Sequence, residues 1–160
     1  MTPLSWVDIV AAGLARHPEE QRRYPVQGIK WLWLYLISFA AFLAIDAVWL
    51  TLMSGRFYKA QLGDLMREQP NLAVALLFYL AYVVGVIVLA VMPGFEAGSV
   101  VKAAAYGALL GFVAYGTYDF TNLSTIRDWP VIVTVVDLVW GTTLTAVMAT
   151  IGYYTARWLA

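Results

Sequence analysis

Cysteine is absent from this 160-residue chain, and histidine occurs once, at position 17. The first absence excludes a disulfide framework, thiolate metal ligation and a cysteine nucleophile together. The second leaves no His/Glu spacing from which a metal site could be assembled. Charge is scarce as well. Asp, Glu, Lys and Arg make up 12% of the residues, where a soluble domain carries about 25% because something must face water. Ten basic and ten acidic side chains cancel and no run of one sign occurs, so nothing points to nucleic acid. No Gly-x-Ser-x-Gly elbow, phosphate loop or dinucleotide fingerprint is present, and no cofactor is implied. No secretory signal is evident: the first apolar run starts near Ile29, after a mixed-charge stretch, with no small-residue cleavage site behind it.

Hydrophobic residues fill the chain instead, at 62% of positions and a mean hydropathy of +0.73. Crossing roughly 30 Å of hydrocarbon takes about 20 helical residues, and four segments reach that length. They run from about Trp31 to Met53, Asn71 to Met92, Ser99 to Tyr118 and Val131 to Tyr154. Only Asp46, Lys102 and Asp137 interrupt them with charge, and Lys102 lies near enough to an end to snorkel. Pro70-Asn71 and Trp129-Pro130 precede the second and fourth segments, and Pro93-Gly94 is expected to close the second. Tryptophan and tyrosine gather at the segment ends, as an aromatic belt requires. The expected fold is an all-α integral membrane protein, a four-transmembrane-helix bundle over residues 29–160.

Residues 1–28 read as a separate cytoplasmic or interfacial segment. Thr2-Pro3 can open a helix, and Leu4, Val7, Val10, Ala11 and Leu14 follow at helical spacing, which describes a short amphipathic helix lying on the membrane. Phe57, Tyr58, Leu62, Leu65 and Met66, in the long connection after the first span, suggest a second surface-lying helix. Along the third span Ala104/Ala108 and Gly107/Gly111 place small residues four apart, a ridge that lets helices approach closely in lipid and that places this span at the bundle centre. Arg16, Arg22, Arg23, Lys30, Lys102 and Arg157 lie on the N-terminal side against Arg56, Lys59, Arg67 and Arg127 opposite, which favours cytoplasmic termini.

Three aspartates carry the chemical interest. An ionised aspartate at mid-membrane costs about 2.5–3.5 kcal/mol on insertion scales, so it turns inward and finds a partner. Asp46 stands seven residues before the end of span one, and Asp137 seven residues after Pro130. Both lie about 10 Å inside the hydrocarbon boundary at 1.5 Å per residue. Asp119 is expected to close span three, and alternating topology places all three in one leaflet. Trp49 and Trp140 each follow a deep aspartate by three residues, on the same helix face. Their indole nitrogens are donors for a carboxylate on a neighbouring helix. Tyr118 and Asn122 add a phenol and an amide at the mouth, and Arg127 is the nearest expected counter-charge.

The Asp46-Ala-Val-Trp49 and Asp137-Leu-Val-Trp140 elements, with Phe57-Tyr58, Thr117-Tyr118-Asp119-Phe120-Thr121-Asn122 and Trp129-Pro130, resemble a family of small bacterial membrane proteins grouped as a domain of unknown function. The likeness covers about Trp31 to Trp158 and implies a bacterial inner-membrane four-helix protein. It transfers no activity, substrate or catalytic residue. Two accounts of the acids remain open: they fix helix register and do no chemistry, or they form a site for a proton, a cation or a small polar ligand. In the second account Asp46, Asp119, Asp137, Trp49, Trp140, Tyr118, Asn122 and Arg127 line that site. The alternative for the whole protein is a non-catalytic accessory subunit of a larger membrane complex, docked through residues 1–28 and the small-residue ridge of the third span, while the site account is expected to involve a homo-oligomer; membrane lipids surround the chain in both. An enzyme acting on a lipid head group, with a carboxylate as general base, is the third reading.

An even number of crossings makes one prediction at once. Reporter domains fused to the two ends of the chain are expected to signal the same compartment; opposite compartments would mean that one of the four segments does not cross.

Overall fold

The computed structural model describes residues 28–160. The interfacial helix expected within residues 1–28, and His17, therefore fall outside the described residues. Among these, four helices are long and apolar enough to cross a membrane: α1 Ile29–Leu65, α2 Leu72–Glu96, α3 Val100–Thr125 and α4 Val131–Leu159. They form an all-α membrane bundle. Lys30 Nζ donates to the Ala160 carbonyl at 3.3 Å, so the start of α1 meets the end of α4, as alternation of four spans requires.

Sequence chemistry sets most of the helix ends. Asn71 caps α2 by accepting from the Val74 N–H at 3.3 Å, and Ser99 caps α3 by accepting from the Lys102 N–H at 3.2 Å. The end of α2 differs from expectation. The helix passes through Pro93-Gly94 to Glu96 and is turned off by Gly98, whose φ of 61° is reserved largely for glycine. There the Gly98 and Ser99 N–H groups bond back to the Phe95 and Gly94 carbonyls, both at 2.9 Å, which satisfies the terminal carbonyls. A π-helical turn at Ile87–Val91 precedes the proline and takes up the hydrogen bond and the space that Pro93 denies an α-helix.

The connection after span one also departs from expectation. Instead of a loop and then a separate surface helix, α1 continues beyond Met53 through a π-helical turn at Ser54–Tyr58 and on to Leu62. The apolar spacing of Phe57, Tyr58 and Leu62 belongs to this extension. At the other end of the bundle α3 runs six residues beyond Asp119 to Thr125, so this acid lies inside the helix and does not close it.

Burial identifies the central helix as α4, not α3 as the small-residue ridge suggested. Twelve α4 residues are buried against five on α3, because α4 packs on the other three helices while α3 leaves one side open. The ridge does what its composition allows. Gly107 and Gly111 lie against the α4 backbone at Thr145 and Gly141, where any Cβ would meet a carbonyl oxygen. On α1 the inward stripe is Leu34, Ser38, Phe42 and Asp46, four residues apart. The outward faces are equally apolar: Leu77 is 70% exposed, Val101 74% and Val139 64%, surfaces suited to hydrocarbon.

Gly111→Ala is expected to lower the unfolding free energy in detergent by about 1–3 kcal/mol, since the added methyl must displace backbone. Gly85→Ala, where a methyl meets nothing, is expected to leave the thermal midpoint unchanged or raise it slightly. Equal loss in both variants would contradict the close α3–α4 approach.

Candidate functional site

Asp46 ends the inward stripe of α1 and is 5% exposed; Asp137, two turns into α4, is 8% exposed. Both line a single cavity of about 780 Å³ at the end of the bundle that carries the α1 extension and the α3–α4 loop. That volume lies within the several hundred cubic ångströms typical of small-molecule sites.

Each acid is served by a phenol from another part of the chain. Tyr79 Oη of α2 donates to Asp46 Oδ2 at 2.6 Å. Tyr58 Oη, in the π-helical turn of α1, donates to Asp137 Oδ1, and itself accepts from Trp49 Nε1 at 3.1 Å. The turn makes the second arrangement feasible. At about 100° per residue an uninterrupted α-helix would set Tyr58 some 120° around the axis from Asp46. The residue added by a π turn rotates the remainder of the helix back by about 100°, returning the phenol to the acid-bearing face.

The two indoles stack face to face, with ring centroids 4.1 Å apart and planes 6° from parallel. On antiparallel helices Trp49 follows Asp46 toward one membrane face and Trp140 follows Asp137 toward the other. Helical side chains lean toward their own N-terminus, so the two rings lean toward each other and close beside the acids. Stacking changes their expected role. Neither indole donates to a carboxylate: Trp49 reaches Asp137 only through Tyr58, and Trp140 Nε1 is buried without an acceptor. Tyr115 completes the wall by lying against Gly141, where a Cβ would collide with its ring.

The remaining candidates divide. Tyr118 lines the cavity with Asp46, Trp49, Asp137 and Trp140; Asp119, Asn122 and Arg127 are not on its lining. Asp119 is fully buried, and neither of its oxygens, nor Asn122 Nδ2, has a hydrogen-bond partner. Arg127 is exposed, and the cation on the cavity wall is Arg67, from the segment just after α1. Sequence reasoning passed over Arg67, Tyr79 and Tyr115 and placed Tyr58 on a surface helix. One signal was available. Tyr79 stands eight residues into span two, about 12 Å deep and so level with Asp46, whereas membrane tyrosines ordinarily collect at the interface.

The family model described as Predicted membrane protein (DUF2177) matches residues 31–154, and the chain belongs to this family. No curated protein and no solved structure is significantly similar to it.

A double-mutant cycle on Tyr79→Phe and Asp46→Asn is expected to give a coupling energy of about 1–3 kcal/mol in unfolding experiments, the range for a hydrogen bond to a charged or buried acceptor. Additivity within about 0.5 kcal/mol would mean that the phenol and the acid do not support each other.

Proposed function

We propose that this DUF2177 member is a multipass protein of the bacterial inner membrane, with both termini cytoplasmic, that binds a small cation or polar ligand in the carboxylate-aromatic cavity and so serves as a binding or transport module. The excess of basic residues on the side of the termini, six against four, supports the orientation. The observation that carries the binding reading is the convergence of Asp46 and Asp137, from spans one and four, on one cavity.

Keeping two acids in a membrane span is costly, and packing alone gives no reason to pair that cost with an accessible void. Tyr79 and Tyr58 each occupy one carboxylate oxygen. Among the described residues Asp46 Oδ1 and Asp137 Oδ2 receive no hydrogen bond, which leaves one acceptor on each acid for a ligand.

Ligand binding to the folded state raises stability by mass action, about 2.7 kcal/mol at a hundredfold excess over Kd. The test is thermal unfolding of the purified protein in sodium, ammonium and choline chlorides at one ionic strength. At least one cation is expected to raise the wild-type midpoint relative to the others, and the Asp46→Asn/Asp137→Asn variant is expected to lose that difference. A cation-dependent shift that survives in the double variant, or no difference among the salts in the wild type, would contradict the proposal.

A further inference from the structure

The composition of the cavity wall narrows the ligand class, provided that the binding reading holds. Of the charged side chains on the lining two are acids and one, Arg67, is a base, so the cavity keeps an excess of negative charge. Nearly half of the remaining lining residues are aromatic, among them Trp49, Trp140, Tyr79, Tyr115 and Trp129. An inorganic ion would draw on the two carboxylates and on the phenol and hydroxyl oxygens of the wall, whereas the ring faces supply no lone pairs to replace its lost water. Ring faces do attract a cation whose charge is spread over alkylated nitrogen, and such a cation is weakly hydrated.

A second opening agrees. An apolar groove of about 470 Å³, bounded by Met53, Val135, Val136, Val139 and Thr143, shares Trp49 and Trp140 with the cavity. Val135 and Val139 are exposed on the outer face of α4. The stacked indoles therefore stand between a charged chamber and the surface that meets lipid. Their contact with each other at 4.1 Å covers one face of each ring.

The geometry points to an alkylated ammonium group as the ligand of this cavity, its charge held between Asp46 and Asp137 and its alkyl groups against the aromatic wall. Trp140 Nε1, a buried donor without a partner, is matched by a ligand that also carries an oxygen beside the nitrogen. Such a group belongs to a free amino alcohol or to a lipid head group, and the two sources share this chemistry.

Isothermal titration of the full chain in phosphatidylglycerol nanodiscs separates the possibilities. The probes are choline chloride, its uncharged isostere 3,3-dimethyl-1-butanol, and sodium chloride. Saturable choline binding is expected, with none for the other two. Asp137→Asn is expected to abolish it, and Trp140→Leu to weaken it about thirtyfold, the size of a desolvated cation–π contact. Repeating the choline titration in phosphatidylcholine nanodiscs assigns the source: weaker apparent binding means that the lipid head group competes, and equal binding means a free ligand. Either result upholds the ammonium assignment. Saturable sodium binding without choline binding overturns it while leaving a carboxylate cation site standing. Equal binding of the uncharged isostere, or binding by none of the probes, overturns both.

Discussion

Two carboxylates inside this apolar bundle, Asp46 and Asp137, are each held by a phenol donor, and that pairing organises one end of the protein. Asp46 takes its donor from α2, and Asp137 takes its donor from the extension of α1. Each acid thereby ties together segments that hydrophobic packing alone would leave free to slide, because lipid solvates an apolar helix as well as its neighbours do. The π-helical turn at Ser54–Tyr58 answers the same demand. Without its extra residue the phenol that serves Asp137 would point away from the acid, and the continuation of α1 would not roof the cavity.

Close packing supplies the other half of the architecture. Gly107 and Gly111 bring α3 onto α4 until backbones touch, and Gly141 gives the space that Tyr115 occupies. Dense contact along α3–α4 contrasts with the open chamber toward the Asp137 end of α4. Phe42, Val83, Leu144 and Met148 fill the interior of the bundle away from that chamber. The cavity is thus a departure from an otherwise tightly filled interior, located where the acids are.

Much of this was legible in the sequence. Span lengths and capping residues announced four helices, and alternation placed Asp46 and Asp137 at one depth, because hydropathy and rise per residue are properties of the chain itself. Which face of each helix turns inward was harder to read. Apolar residues cover every side of these spans, so periodicity has little contrast, and on α1 and α4 polar residues such as Ser38, Asp46, Thr134, Asp137 and Thr145 marked the inner stripe. The two π turns were not legible, since a π turn has no composition of its own and shows itself only through the partners it aligns. Stacking of Trp49 on Trp140 escaped for a related reason: it depends on the opposite lean of side chains on antiparallel helices, which spacing along one helix does not reveal. Arg127 was the natural counter-charge by proximity in sequence, yet the turn after α3 leaves it exposed and Arg67 stands on the wall.

Everything proposed for this protein depends on the two acids sharing one chamber. Because the native chain has no cysteine, Asp46→Cys/Asp137→Cys gives a protein with a single thiol pair, and cross-linking it in intact membranes with a short bis-maleimide reads their proximity directly. A shared chamber predicts an intramolecular cross-link in the double variant, seen as a faster-migrating species that neither single variant forms. Thiols that each react with a membrane-permeant maleimide yet never cross-link would place the acids in separate environments and contradict it.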